Sequence, residues 1–181
     1  QEGKYKYIPY QRLFRRTEFL EVPEYGKFEG LANRNSLAYR SIYGLEDIPT
    51  IFRGTLRRVG FSKAWNVFVQ LGMTDDTYQI QNAEEMTYRE FVNLFLPYSP
   101  YDTIELKLRH SLKIDQDDMI WEKLLELDLF SDSKMISLKD PTPAQALQKI
   151  LEDKWMLDEN DKDMIVMYHK FGYELNQEKK Q

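Results

Sequence analysis

The chain has 181 residues, of which 42% are hydrophobic and 14% aromatic, and its formal net charge at pH 7 is −5. A chain of this length and composition can bury a hydrophobic core, which is typical of a globular protein with one or two domains. The negative charge argues against a general nucleic-acid-binding protein. No apolar run reaches about eighteen residues, the length that indicates a membrane-spanning helix. Because the chain has no cysteine, disulfides, zinc–thiolate sites and a cysteine nucleophile are excluded.

The first third of the sequence predicts mainly strands. Four short segments combine apolar alternation with flanking glycine or proline, and each is predicted to be a strand: residues 3–10, 19–22, 27–32 and 51–59. Between the last two, residues 36–43 are predicted to form a short helix that stops at Gly44.

After residue 60 the apolar residues recur with a helical period. Ser62 is a suitable N-cap, and Thr87 and Thr142 each begin a capping box, with Glu90 and Gln145 three residues later. Five short helices are predicted: residues 63–71, 88–96, 103–112, 117–129 and a last one that begins at Pro143. Three tryptophans fall on their apolar faces and are predicted to lie in the core: Trp65, Trp121 and Trp155.

Residues 163–175, DMIVMYHKFGYEL, return to a period of two and predict a long strand. This strand and the one at residues 50–59 should share a sheet, because their apolar sides need the same core. The polar tail, residues 176–181, is expected to fray. The predicted fold class is therefore α+β, a small mixed β-sheet with an inserted all-helical subdomain of about five helices. The predicted domains are an α/β domain and a helical insertion: residues 1–60 with 156–181, and residues 61–155.

The common sequence motifs for cofactors and catalysis are absent. The chain contains no GxGxxG, GxxxxGK[ST], HExxH or GxSxG, so neither a loop for nucleotide phosphates nor a hydrolase centre is predicted. We therefore predict that this chain itself contributes no catalytic residue, no cofactor-binding residue and no metal ligand.

Arginine is concentrated in residues 33–60, against the acidic background of the chain. Arg34, Arg53, Arg57 and Arg58 lie in this stretch, with Arg40 between them. In a strand at residues 51–59, Arg53, Thr55 and Arg57 would share one face, with Gly54 and Leu56 on the other. Two guanidinium groups around a hydroxyl suit a carboxylate ligand. From these residues alone, arginines that are solvated or paired with Asp and Glu are the commoner arrangement.

Several stretches, in matching order and spacing over residues 29–174, carry the pattern of a known family: NRNS at 33–36, YGL at 43–45, FRGTLRRVGF at 52–61, WEKLLELDLFSD at 121–132 and DKDMIVMYHKFGYE at 161–174. Together they resemble the saccharopine dehydrogenase (glutamate-forming) family, which includes the C-terminal half of the bifunctional aminoadipic semialdehyde synthase. Two positions depart from the family pattern, which usually has Asp where this chain has Asn35 and Tyr where it has Arg58.

The resemblance implies a substrate-binding domain of a Rossmann-type dehydrogenase. NADP or NAD would be bound by a separate Rossmann domain, so the chain is expected to be a fragment that is inactive alone. The whole enzyme would interconvert saccharopine with glutamate and 2-aminoadipate 6-semialdehyde by hydride transfer, a reaction of lysine metabolism. By position, Arg34, Thr55, Leu56 and Arg57 match the family's saccharopine-binding residues. The two arginines would hold carboxylates, and Thr55 would add a hydroxyl or backbone contact.

The expected partners are the tricarboxylate saccharopine, the missing Rossmann domain and a second copy in a possible homodimer, with no nucleic acid and no membrane. The expected location is the cytoplasm, which fits the absence of cysteine. Two alternatives stay open at this point. One is the substrate domain of a carboxyspermidine-type dehydrogenase, whose pocket should be less rich in arginine. The other is an interaction module without catalysis.

Overall fold

The structure is a computed structural model that describes residues 1–175 and 178–180. Its main sheet has three antiparallel strands in the order β1–β2–β3: β1 (Glu18–Val22), β2 (Gly26–Ala32) and β3 (Gly54–Arg58). These confirm three of the predicted strands. Both pairings in this sheet are antiparallel, so the prediction of a mixed sheet is wrong. A tight turn joins β1 to β2, which forces these two neighbours to run in opposite directions.

Residues 3–9 do not form the predicted strand. Tyr5 and Tyr7 are 80% and 88% exposed, so the alternating side chains have no core to cover. A short helix, α1 (Tyr10–Leu13), follows, and α2 (Tyr39–Ile42) lies between β2 and β3. The second of these confirms the short helix predicted before Gly44.

Five consecutive helices follow the sheet, as the sequence predicted: α3 (Phe61–Leu71), α4 (Tyr88–Asn93), α5 (Ile104–Leu112), α6 (Met119–Glu126) and α7 (Pro143–Trp155). Thr87 and Thr142 form the predicted capping boxes at the starts of α4 and α7. The predicted cap of α3 is wrong, because the N-cap is Gly60 in the left-handed region (φ 98°) and Ser62 already lies inside the helix. In the described residues, no helix is both long and apolar enough to cross a membrane.

The hydrophobic core lies between these five helices. Deeply buried side chains of this core come from different helices and from the loops that join them, among them Phe68, Phe91, Leu108, Leu124, Ile136 and Ile150. Trp121 is 7% exposed and belongs to this core, and Trp65 packs against it. Trp155 is 55% exposed, so its predicted core position is wrong. It is the last residue of α7 and stands between two open clefts.

The predicted long strand at residues 163–175 is wrong for most of its length. Only its end forms a strand, β4 (Tyr173–Leu175), which pairs with β5 (Glu178–Lys180) in a separate two-stranded sheet. Residues 163–172 have no regular structure, and Ile165 is 89% exposed. An alternating sequence needs a neighbouring strand, and within the described residues this segment has none. The predicted common sheet with β3 is therefore wrong as well.

The limits of the two predicted domains stay a prediction, since the structure leaves the division at residues 60 and 155 untested. The prediction for the polar tail falls partly on residues 176, 177 and 181, which lie outside the described residues.

Candidate functional site

The loop after β2 is tied to the start of β3 by hydrogen bonds. The Asn33 N–H donates to the Arg53 carbonyl (2.9 Å), and the Ser36 hydroxyl donates to the same oxygen (3.4 Å). The Thr55 hydroxyl donates to Asn33 Oδ1 (2.9 Å). Arg34 is exposed and lies between the two anchored residues. The loop that carries Arg34 is therefore held beside the start of β3.

Strand β3 places Thr55 and Arg57 on one face of the sheet. Thr55 lies opposite Leu31 and Arg57 opposite Glu29, and alternate residues of a strand project to the same side. Thr55 is half-buried and Arg57 is exposed. Leu56 lies on the other face, so on the Arg57 side it presents only its backbone.

Gly54 begins this strand because no larger residue fits there. A Cβ at this position would lie 2.8 Å from the Leu31 carbonyl oxygen and 2.8 Å from a ring carbon of Phe52. The glycine of the RGTLR segment thus permits the close approach of β3 to β2. This approach sets the positions of Arg53 and Thr55 on either side of it.

Among the residues that the structure describes, no carboxylate neutralises Arg34, Arg53 or Arg57. The Arg53 guanidinium lies over the Tyr39 ring, 3.3 Å from its centroid. Arg57 donates to the carbonyl of its neighbour Leu56 (3.1 Å). Within the described residues, no Asp or Glu oxygen lies within 4.0 Å of the guanidinium nitrogens of Arg34, Arg53 or Arg57. Pairing of these arginines with Asp or Glu is therefore not found among the described residues, whereas the exposure of Arg34 and Arg57 agrees with the solvated arrangement.

The segment that contains these arginines, residues 1–60, carries an excess of positive charge. Residues 1–60 contain eleven Lys and Arg against seven Asp and Glu, a net charge of +4 in a chain whose total is −5. These arginines are therefore part of a positive segment that precedes an acidic helical one. Such a surface attracts anionic ligands.

The two departures from the family pattern have local structural roles. The Arg58 guanidinium lies 4.8 Å from the Phe28 ring and donates to the Tyr25 carbonyl (3.1 Å), on the face of the sheet opposite to Arg57. Asn35 Oδ1 accepts the Ala38 N–H (3.1 Å) at the start of α2. An aspartate at position 35 would accept the same bond.

Glu29 is a member of this region that the sequence reasoning missed. It is 4% exposed, and its two oxygens accept the N–H groups of Gly60 and Ser62, each at 2.8 Å. Burial acts to raise the pKa of Glu29, but the adjacent Ser62 side chain and these two backbone donors outweigh it, so the pKa lies below its usual value. The signal was non-local, because the donors lie more than thirty residues away.

The Ser62 hydroxyl is buried without a hydrogen-bond partner of good geometry. It lies beside the Glu29 carboxylate, where its dipole still stabilises the anion. The start of α3 thus gives Glu29 two backbone donors and the dipole of a nearby hydroxyl.

A family model for the saccharopine dehydrogenase C-terminal domain matches residues 1–181. The chain belongs to this family. The resemblance predicted from the NRNS, RGTLR and DMIV segments is thereby confirmed. The assignment of Arg34, Thr55, Leu56 and Arg57 to substrate binding stays a prediction.

Curated relatives of this chain include longer proteins. The chain is 34% identical over 149 residues to the mitochondrial alpha-aminoadipic semialdehyde synthase of Rattus norvegicus, covering 80% of this chain and 16% of that protein. It is 30% identical over 151 residues to the NADP(+), L-glutamate-forming saccharopine dehydrogenase of Saccharomyces cerevisiae, covering 78% and 32%. The chain thus spans at most about a third of the length of these two relatives.

A solved structure shares the fold. The apo saccharopine dehydrogenase (L-Glu forming) from Saccharomyces cerevisiae matches with a TM-score of 0.70 over 88% of this chain and 37% of that one. The sequence identity is 22%. This similarity supports the arrangement of the sheet and helices.

Proposed function

We propose that this chain is the substrate-binding portion of a saccharopine dehydrogenase. The whole enzyme interconverts saccharopine with glutamate and 2-aminoadipate 6-semialdehyde by nicotinamide-dependent hydride transfer, in lysine metabolism. The observation that carries the proposal concerns two arginines in a chain of this family, Arg34 on the loop after β2 and Arg57 on β3. Among the described residues, neither has a carboxylate oxygen within 4.0 Å.

The substrate suits the charge of this surface. Saccharopine has three carboxylates, and the planar fork of Arg57 can hold one of them by two charge-assisted hydrogen bonds. Arg34, on the anchored loop, would hold another. The net charge of +4 over residues 1–60 favours such a substrate over the diamine-derived substrate of a carboxyspermidine-type dehydrogenase.

The Thr55 hydroxyl can only accept a hydrogen bond from a ligand. Its O–H donates to Asn33 Oδ1, so towards a ligand the oxygen is an acceptor. The groups of saccharopine that can donate to it are the ammonium and the secondary amine. Thr55 would therefore orient a nitrogen of the substrate, while the arginines hold its carboxylates.

Two features support the proposal that the dinucleotide binds outside this chain. The sequence has no glycine-rich phosphate loop, and in the described residues every strand pairing is antiparallel, without the parallel βαβ unit of a dinucleotide-binding domain. We therefore assign NADP or NAD to a domain outside this chain, and expect the purified chain alone to be inactive.

The experiment is steady-state kinetics of the full-length enzyme with Arg57→Ala. We expect the KM for saccharopine to rise roughly 30- to 1000-fold, equivalent to about 2–4 kcal/mol for a lost charge-assisted pair. Arg57→Lys should restore only part of the affinity, because a point charge cannot reproduce the fork. The KM for the cofactor should stay the same, because the cofactor binds elsewhere.

The matched control is Arg58→Ala, which removes the neighbouring arginine from the opposite face. It should lower the melting temperature, through the lost contacts with Tyr25 and Phe28, and leave the KM for saccharopine unchanged. An unchanged KM in folded Arg57→Ala would remove Arg57 from the substrate site.

A further inference from the structure

Glu29 is the one charged side chain that is buried in the part of the chain that the structure describes. It lies on β2 directly opposite Arg57 of β3, so both side chains project from the same face of the sheet. Opposite charges in such a cross-strand position favour each other. The Glu29 carboxylate and the Arg57 guanidinium do not form an ion pair within 4.0 Å. Other groups therefore bind the carboxylate.

The start of α3 holds it. The Gly60 N–H donates to Glu29 Oε1 and the Ser62 N–H donates to Oε2, both at 2.8 Å. A carboxylate at this position is also favoured by the positive end of the helix dipole. With both oxygens occupied by backbone donors, Glu29 caps α3 and does not neutralise Arg57.

Phe61, in the backbone segment that Glu29 caps, contacts Arg57. Phe61 lies between Gly60 and Ser62, the two residues that donate to Glu29, so the carboxylate fixes the backbone on both sides of it. The Phe61 ring centroid lies 5.3 Å from Arg57 Cζ, a distance at which a guanidinium is attracted to an aromatic ring. The position of Arg57 therefore depends on Glu29 through Phe61.

We propose that Glu29 is a positioning residue for substrate binding. It caps α3 and thereby holds Phe61 against Arg57, while its own charge stays away from the guanidinium and leaves that group free for a substrate carboxylate. The proposal rests on the proposed role of Arg57 in saccharopine binding.

The test is Glu29→Gln in the full-length enzyme, with Glu21→Gln as the control, because Glu21 is an exposed carboxylate on the neighbouring strand. Glutamine keeps the shape but turns one acceptor into a donor that faces a backbone N–H. We expect the KM for saccharopine to rise roughly 10- to 100-fold, the scale for residues that orient a binding group. The kcat and the KM for the cofactor should stay within about twofold, because only uniform substrate binding is lost.

A double-mutant cycle separates positioning from stability. If Glu29 acts through Arg57, then Glu29→Gln has no further effect on the KM for saccharopine once Arg57 is alanine. An equal effect in both backgrounds, or an unchanged KM in folded Glu29→Gln, overturns the proposal. If Glu29→Gln does not fold, Phe61→Leu decides, because it keeps the cap and removes the ring. A raised KM for saccharopine supports the proposal and an unchanged one overturns it.

Arg57→Ala alone distinguishes the two possible failures. If it leaves the KM for saccharopine unchanged, the proposed substrate site is wrong and the positioning role is refuted with it. If Arg57→Ala raises this KM and Glu29→Gln does not, the site stands and only the positioning role is wrong.

Discussion

Gly54→Ala tests whether the close approach of β3 to β2 is as the structure describes it. The added Cβ would lie 2.8 Å from the Leu31 carbonyl oxygen, about 0.6 Å inside the 3.4 Å at which ordinary contacts begin. The second close neighbour, a ring carbon of Phe52, is also at 2.8 Å. Phe52 is 40% exposed and can turn away, whereas the carbonyl belongs to a paired strand. The strand must therefore shift.

The expected cost follows from two opposing effects. Overpacking of this kind costs about 1–3 kcal/mol. Alanine also restricts the unfolded chain, which stabilises the protein by about 0.4–1 kcal/mol where the native backbone permits it. Gly172→Ala supplies the control, because a Cβ there meets nothing within 4 Å and the backbone has no positive φ. The difference between the two variants is then about 1–3 kcal/mol, and it isolates the steric contact.

Urea unfolding followed by circular dichroism measures this difference. Because β3 carries Thr55 and Arg57, the same shift should also raise the KM for saccharopine in the full-length enzyme, which Gly172→Ala should not do. Gly54→Ala that unfolds at the same urea concentration as Gly172→Ala would show that β2 and β3 do not approach as closely as described.

Two further predictions concern stability. Trp121→Ala should lower the free energy of unfolding by about 3–5 kcal/mol, because the ring is buried in the helical core. Trp155→Ala should lower it clearly less, because that residue is 55% exposed. Equal shifts in the urea midpoint of the two variants would contradict these positions. The lowered pKa of Glu29 means that its stabilisation is present above the ordinary value of 4.5 and is lost as the pH falls through the lower pKa of the folded state. Glu29→Gln should therefore be less stable than the unchanged protein at pH 7, with a smaller difference at acid pH. A difference that grows on acidification would refute this.

The helices could be predicted because their signals are local. Thr87 with Glu90, and Thr142 with Gln145, satisfy backbone donors within one turn, so the sequence contains the whole interaction. The segment at residues 163–175 has an equally clear period of two, yet a strand also needs a neighbour. The alternation alone did not make this segment a strand, because a strand must pair with another strand, and that partner comes from a distant part of the sequence.

For the candidate site, too, the sequence predicted the local features but not the contacts between distant residues. A period of two placed Thr55 and Arg57 on one face, and the register confirms it. The same period put Arg58 on the other face, but its contact with Phe28 requires knowledge of the β2–β3 register. Glu29 needed still more, because its role depends on the helix that follows β3. Contacts across strands and between a strand and a helix are fixed by tertiary structure, which a single sequence does not reveal.

The two parts of the chain use charge differently. Every ion pair found in the described residues lies between Lys63 and Lys154. Arg89 there binds Glu105 through two nitrogens, at 2.6 and 2.9 Å, so the charges of the helices stabilise the fold. For residues 1–60, no Lys or Arg forms such a pair with any residue that the structure describes, and like charges that lie close together repel each other. The repulsion lowers stability slightly, and a ligand with several carboxylates, as proposed for this site, would remove it on binding. The proposed site would thus gain affinity for an anionic substrate from the relief of this repulsion, while the helical core keeps the chain folded.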